Sequence, residues 1–187
     1  MRQDTAWHAL TDPSMRNSSY ICIAISLFNN LTGQSLICMY STAIFEGLAS
    51  KGSLSHYVVK QENNFIGWAA VVGAVCSYYT VSWMTRRALF VGGHFIMAVL
   101  MLMCGLYCDQ KKHDLVLLCI CLFVFVFQCT QGSAIFIYIA EVVSSDSVMG
   151  LCLFTLMFGL TTQSMSATYV FNSKLGINGM FYLLGAI

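Results

Sequence analysis

Charge is what this chain has least of. Only 9% of its 187 residues are Asp, Glu, Lys or Arg, and the formal net charge is +1. An ordinary soluble domain carries roughly 25% charged residues, so a soluble surface is excluded on composition. No basic block is present, which leaves no electrostatic footprint for nucleic acid and no polybasic strip for anionic lipid. Proline is nearly missing too: the one residue, Pro13, stands in the polar first stretch, outside every long apolar run. No secretory leader is expected among these residues, because the first apolar run is long enough to span and no small-residue cleavage pattern follows a short core. Residues 1–19 hold Arg2 and Arg16 beside Asp4 and Asp12, too acidic a mixture for a transit peptide. There is no phosphate loop, no nucleophile with its base, and no haem or iron–sulfur spacing, so neither catalysis nor a cofactor is expected.

What the chain does have is apolar residues, 58% of the total. A spanning helix needs about 20 of them in succession. Five runs reach that length: Tyr20 to Phe45, Phe65 to Met84, Leu89 to Tyr107, Leu115 to Val143, and Val148 to Phe171. A sixth, Gly179 to Ile187, has about half of it. The expected fold is an all-α integral membrane bundle over residues 20–187, preceded by a polar tail over 1–19. Most of the polar separators are short, which predicts that successive helices are antiparallel neighbours.

The nine cysteines fall mainly within the apolar runs, where a thiol acts as a small hydrophobe. Cys104 and Cys108 share a helical face, with Asp109 and His113 close by in sequence, but no metal-ligand spacing is complete. Asn17-Ser18-Ser19 and Asn30-Leu31-Thr32 match the glycosylation acceptor pattern. The second lies within a span and is expected to be inaccessible. Of the scattered histidines, His94 is the one inside a span, where a packing hydrogen bond outweighs a proton relay as its expected role. Gly73, Gly92, Gly93, Gly105 and Gly159 are expected to serve close helix packing.

Three motifs then occur in order. The stretch from Asn29 to Phe45 carries Leu31, Gly33, Tyr40, Ser41, Thr42, Ile44 and Phe45. Arg86-Arg87-Ala88-Leu89 comes after the next span, with Gly92 and Met97 downstream; Gly132, Phe136, Tyr138, Glu141 and Gly150 come later. In this order and spacing the chain resembles the C-terminal half of the sugar porters of the major facilitator superfamily, from helix seven onward. The resemblance implies a six-helix half of a carrier in which two halves rock about a midplane site.

It also implies which side chains read solute hydroxyls and how they differ here. The paired glutamines of helix seven fall on Asn29 and Asn30, the following asparagine on Ser35, and the helix-eight asparagine on about Ala70. An acidic residue of helix ten becomes Gln128, and the helix-eleven tryptophan is replaced near Leu160. Asn29, Asn30, Gln34, Ser35, Gln128 and Gln131 are thus the substrate-site remnants. A missing buried partner costs about 1 to 3 kcal/mol, so several losses together are expected to abolish ordinary sugar affinity. The helix-ten prolines are absent, which predicts an unbroken helix and a poorer gate. Arg86, Arg87 and Glu141 are the retained charge network, with Asp146 nearby and Val148 at the position of a lost arginine. Glu141 is expected to pair with Arg86 or Arg87.

Lys and Arg divide four against five between the two implied faces, so charge does not set the orientation. Two functions are compatible with this reading, and the altered hydroxyl-reading side chains, the missing helix-ten prolines and the short last run favour the first. One is a non-transporting structural subunit of a larger membrane complex, with a mitochondrial inner-membrane complex as the first expectation and membrane lipid and other membrane subunits as partners. The other is a working transporter assembled from two halves, with a watery cavity lined by Asn29, Asn30, Gln34, Gln128 and Gln131.

Overall fold

A computed structural model describes residues 11, 16–49, 56–110, 112–132, 134–143, 146–172 and 176–186. Its elements are α1 (Arg16–Leu31), α2 (Gln34–Ala49), α3 (His56–Trp83), α4 (Arg86–Asp109) and α5 (His113–Phe127). A π-turn (Gln128–Gly132), α6 (Ala134–Val142), α7 (Asp146–Asn172) and α8 (Gly176–Ala186) complete the order. No strand occurs among the described residues. Five segments are long and apolar enough to cross a bilayer: Arg16–Thr42, Gln61–Trp83, Arg86–Asp109, His113–Val142 and Asp146–Ser166. Each coincides, within about a turn or so, with a run read from hydropathy. Lys51, Lys111 and Lys174 lie outside the described residues.

Two of these spans are broken. The first bends between α1 and α2 at Thr32-Gly33, where Gly33 has φ +79. An L side chain pays about 1–2 kcal/mol in that region, and a Cβ there would also lie 2.6 Å from the Leu184 side chain. The fourth span, expected to be unbroken, instead changes from α-helix to π-turn at Gln128–Gly132 before resuming as α6. Absence of proline does not enforce straightness. A π-turn inserts an extra residue into the helical ladder without removing any N–H, and such turns cluster at functional sites.

The apolar interior divides at the same levels. One cluster gathers Ile37 of α2, Met97 and Met101 of α4, Val116, Ile120 and Phe123 of α5, and Phe181 of α8. The other gathers Cys22 of α1, Ile135 and Ile139 of α6, and Val148, Cys152 and Leu156 of α7. Both broken spans therefore pass from one core to the other at their breaks: α1 to α2 across Gly33, α5 to α6 across the π-turn. Lipid tails are as apolar as leucine, so these cores are held by close packing and interhelical hydrogen bonds rather than by escape from water.

Neighbour relations track packing more than sequence. Helix α4 packs closely on α5 and α8, α1 on α7, and α3 on α5 and the π-turn, while α3 and α4, joined by two residues, barely touch. A short link ties helix ends together but leaves the faces free to find other partners. Glycine explains several seams. A Cβ on Gly73 would stand 2.8 Å from the Phe125 carbonyl, and one on Gly105 would stand 2.9 Å from the Tyr182 ring. Gly92 departs from expectation: nothing lies within 4 Å of a Cβ placed there, so it is not a packing glycine.

The outer surface suits hydrocarbon. Trp68, Tyr78, Phe95, Phe154 and Tyr169 are each well exposed, and Trp83, at the end of α3, is 89% exposed in the manner of an interfacial anchor. The nine cysteines are free thiols.

Candidate functional site: a groove beside the π-turn

The π-turn is clamped from two sides. On the α3 side, Thr80 Oγ1 donates to the Cys129 carbonyl at 2.6 Å, and Cys129 Sγ donates to the Gly73 carbonyl at 3.4 Å. On the α4 side, Gly93 gives Thr130 room, since a Cβ there would lie 2.9 Å from Thr130 Cβ. One residue further on, His94 meets Gln131. The ring Nδ1 stands 2.8 Å from the Phe90 carbonyl and 2.5 Å from Gln131 Nε2. A protonated Nδ1 donates to Phe90; an unprotonated one accepts from the Gln131 amide. His94 is thus the helix-packing hydrogen-bonding residue expected of it, with a backbone carbonyl and a side-chain amide as partners.

Gln131 is wholly buried, and its Oε1 has no partner. It lines a groove of about 560 Å³ together with Ile25, Phe28 and Asn29 of α1, Arg86, Arg87, Phe90, Val91 and His94 of α4, and Tyr138 of α6. Asn29 Oδ1 and Arg86 Nη1 are also buried without partners. Around the rim, Arg86 Nη2 donates to Glu141 Oε1 at 2.6 Å, the pairing foreseen from the motif. Both side chains are partly open, at 31% and 52% exposure, which limits the pair to about 0–1 kcal/mol. Glu141→Arg alone places two cations together and is expected to lower the apparent melting temperature in detergent. Adding Arg86→Glu should restore it, while the singly neutral Glu141→Gln changes little.

The six remnants do not converge. Asn29 and Gln131 share the groove. Asn30 turns toward α7, where its Nδ2 donates to the Leu156 carbonyl at 3.2 Å as well as to Ser26 at 3.1 Å on its own helix. Gly159 makes this possible, because a Cβ there would collide with the Asn30 side chain. Gln34 Nε2 donates to Cys38 Sγ at 3.1 Å, along its own helix. Gln128 folds back against Gly132, and Ser35 is half-buried on the first turn of α2. Arg87 is exposed at the groove wall rather than paired with Glu141.

Asn30 therefore acts as a staple between α1 and α7. Asn30→Leu is expected to cost about 0.6–1.7 kcal/mol, the range for an interhelical hydrogen bond in a bilayer. Thermal unfolding of the purified protein checks it. A further link not foreseen from sequence is Tyr40, whose hydroxyl donates to the Ser164 carbonyl at 3.0 Å.

A family model described as "Sugar (and other) transporter" matches residues 1–185 of the chain. The chain belongs to this sugar transporter family. It is an integral membrane protein of a transporter family, not of an enzyme family. No curated protein and no solved structure matches it. In this sugar transporter family member Arg86 pairs with Glu141, Asn30 bonds to α7, and Asn29 lines the groove.

Proposed function

We propose that this sugar-transporter-like chain acts as the C-terminal-type half of a solute carrier, moving a small hydroxyl-bearing solute by flexing one helical core against the other. The observation that carries this reading is that both discontinuous spans, at Gly33 and at Gln128–Gly132, break where the chain crosses between cores. Discontinuous helices at carrier midplanes supply unsatisfied backbone groups and bending points. Here the π-turn takes the part assigned to the absent prolines, and Asn29 and Gln131 remain as amides without a full set of partners.

A second reading is favoured by the fate of the other remnants. Asn30 is committed to α7, Gln128 to Gly132, and Ala70 offers no hydrogen bond where the resemblance implies an asparagine. In that reading the chain is a non-transporting accessory subunit of a larger membrane complex, a mitochondrial respiratory complex first among them. Native purification followed by reconstitution separates the two. Time-dependent uptake of labelled hexoses or other polyols into vesicles supports the carrier. Recovery in a large stable complex, with no uptake for any solute of the panel, would sink it in favour of the subunit.

A further inference from the structure

Arg86 and Arg87 open helix α4 at the membrane boundary and form one end of the groove beside the π-turn. No carboxylate is among the described residues that line that groove, and Glu141 at its rim engages only Nη2 of Arg86, leaving Nη1 buried and unpartnered. The end is therefore electropositive and short of an acceptor. Deeper in, Gln131 at the groove wall is fully buried with an unpartnered Oε1, a second polar group short of a partner.

The walls indicate which solvent the groove opens to. Phe28 is 61% exposed and Val91 66%, both in spanning segments, so the opening faces bilayer hydrocarbon sideways rather than an aqueous vestibule. A second groove of about 320 Å³ shares Phe28 and His94 and continues to Met101 and Leu184. From Arg87 to Met101 helix α4 rises about 21 Å, at 1.5 Å per residue. That exceeds half of a hydrocarbon core about 30 Å thick, hence the depth of one leaflet.

We infer that this groove is a binding site for an anionic phospholipid, with its phosphate on Arg86 and Arg87 and one acyl chain lying along α4 past His94. Charge-assisted contacts from arginine hold the phosphate, and the apolar walls take the tail. The occupant touches both cores, since Phe90 and Tyr138 pack on one and Met97, Met101 and Leu184 belong to the other. It thereby bridges the two breaks. The site does not depend on whether the chain transports.

Native mass spectrometry of the purified full-length chain tests it, with phosphatidylglycerol, phosphatidylcholine and free glycerol phosphate as probes. Phosphatidylglycerol is expected to stay bound at energies that strip phosphatidylcholine, and glycerol phosphate to leave no adduct. Arg87→Gln, at an exposed position, should weaken retention about fivefold, the worth of one interfacial cation. Val91→Trp fills the groove from its lipid side and should abolish retention with helix content by circular dichroism unchanged. Equal retention of the two lipids, indifference to both substitutions, or glycerol phosphate binding as firmly as the lipid would each overturn the site, the last by assigning it to a soluble anion.

Discussion

Gly73→Val is expected to cost about 3 kcal/mol, the upper end of what overpacking usually does, and to abolish recovery of a monodisperse protein. The reason is what the side chain would meet. A Cβ at Gly73 lies 2.8 Å from the Phe125 carbonyl and 3.3 Å from its Cα, so the obstacle is backbone and cannot swing aside. Helix α3 would have to back away from α5 just where it clamps the π-turn. The Thr80 to Cys129 hydrogen bond, 2.6 Å long, and the Cys129 to Gly73 contact would both open. Gly92→Ala is the matched control: its Cβ meets nothing, and alanine is worth up to about 1 kcal/mol over glycine in a helix. Thermal unfolding monitored by size-exclusion chromatography distinguishes them. A Gly73 variant as stable as the Gly92 variant would mean that the α3–α5 seam is looser than its geometry implies.

Those two glycines also mark how far the sequence could be read. The five spans were legible because the bilayer imposes one strong rule, some 20 apolar residues between polar breaks, and this chain obeys it in each case. Pairing of Arg86 with Glu141 was legible because a charge at a membrane helix end needs an opposite charge. Which glycine packs was not legible, since Gly73 and Gly92 look alike in sequence and differ only in what stands opposite. Helix neighbours were obscured for a related reason. Short links suggested a ring of successive contacts, yet α4 found its closest partners in α5 and α8, and left α3. The break at Gly33 had a signal, a glycine inside an apolar run, but that glycine also belongs to the stretch that resembles the family motif.

The π-turn had a weaker signal, a cluster of Gln128, Thr130, Gln131 and Gly132 in the middle of a strongly apolar span, and the absence of proline hid it. Of the candidate site residues, Asn29 and Gln131 met in one groove because their helices converge there. Asn30, adjacent in sequence, points about 100° round the helix and met α7 instead. Adjacent remnants on one helix cannot both face one site unless the helix is broken between them. The break here comes three residues later.

Removing one residue from the π-turn is the sharpest test of its role. Deletion of Thr130 takes out the extra residue that the turn accommodates, so the span can close into continuous α-helix with every backbone hydrogen bond made. Local helix stability therefore does not suffer. The wider turn winds its extra residue within one circuit of the axis, so α6 keeps its phase when that residue is removed. Ile135 and Ile139, now 1–2% exposed, stay in the core shared with α1 and α7, and Glu141 stays on Arg86. Helix content and melting temperature should therefore stay close to those of the parent, while any solute uptake drops to background because the bending point is gone. Re-inserting an alanine at the deleted position rebuilds the turn and should recover uptake, whatever residue the turn itself contains. If the deletion alone transports like the parent, the flexing carrier loses its second bending point.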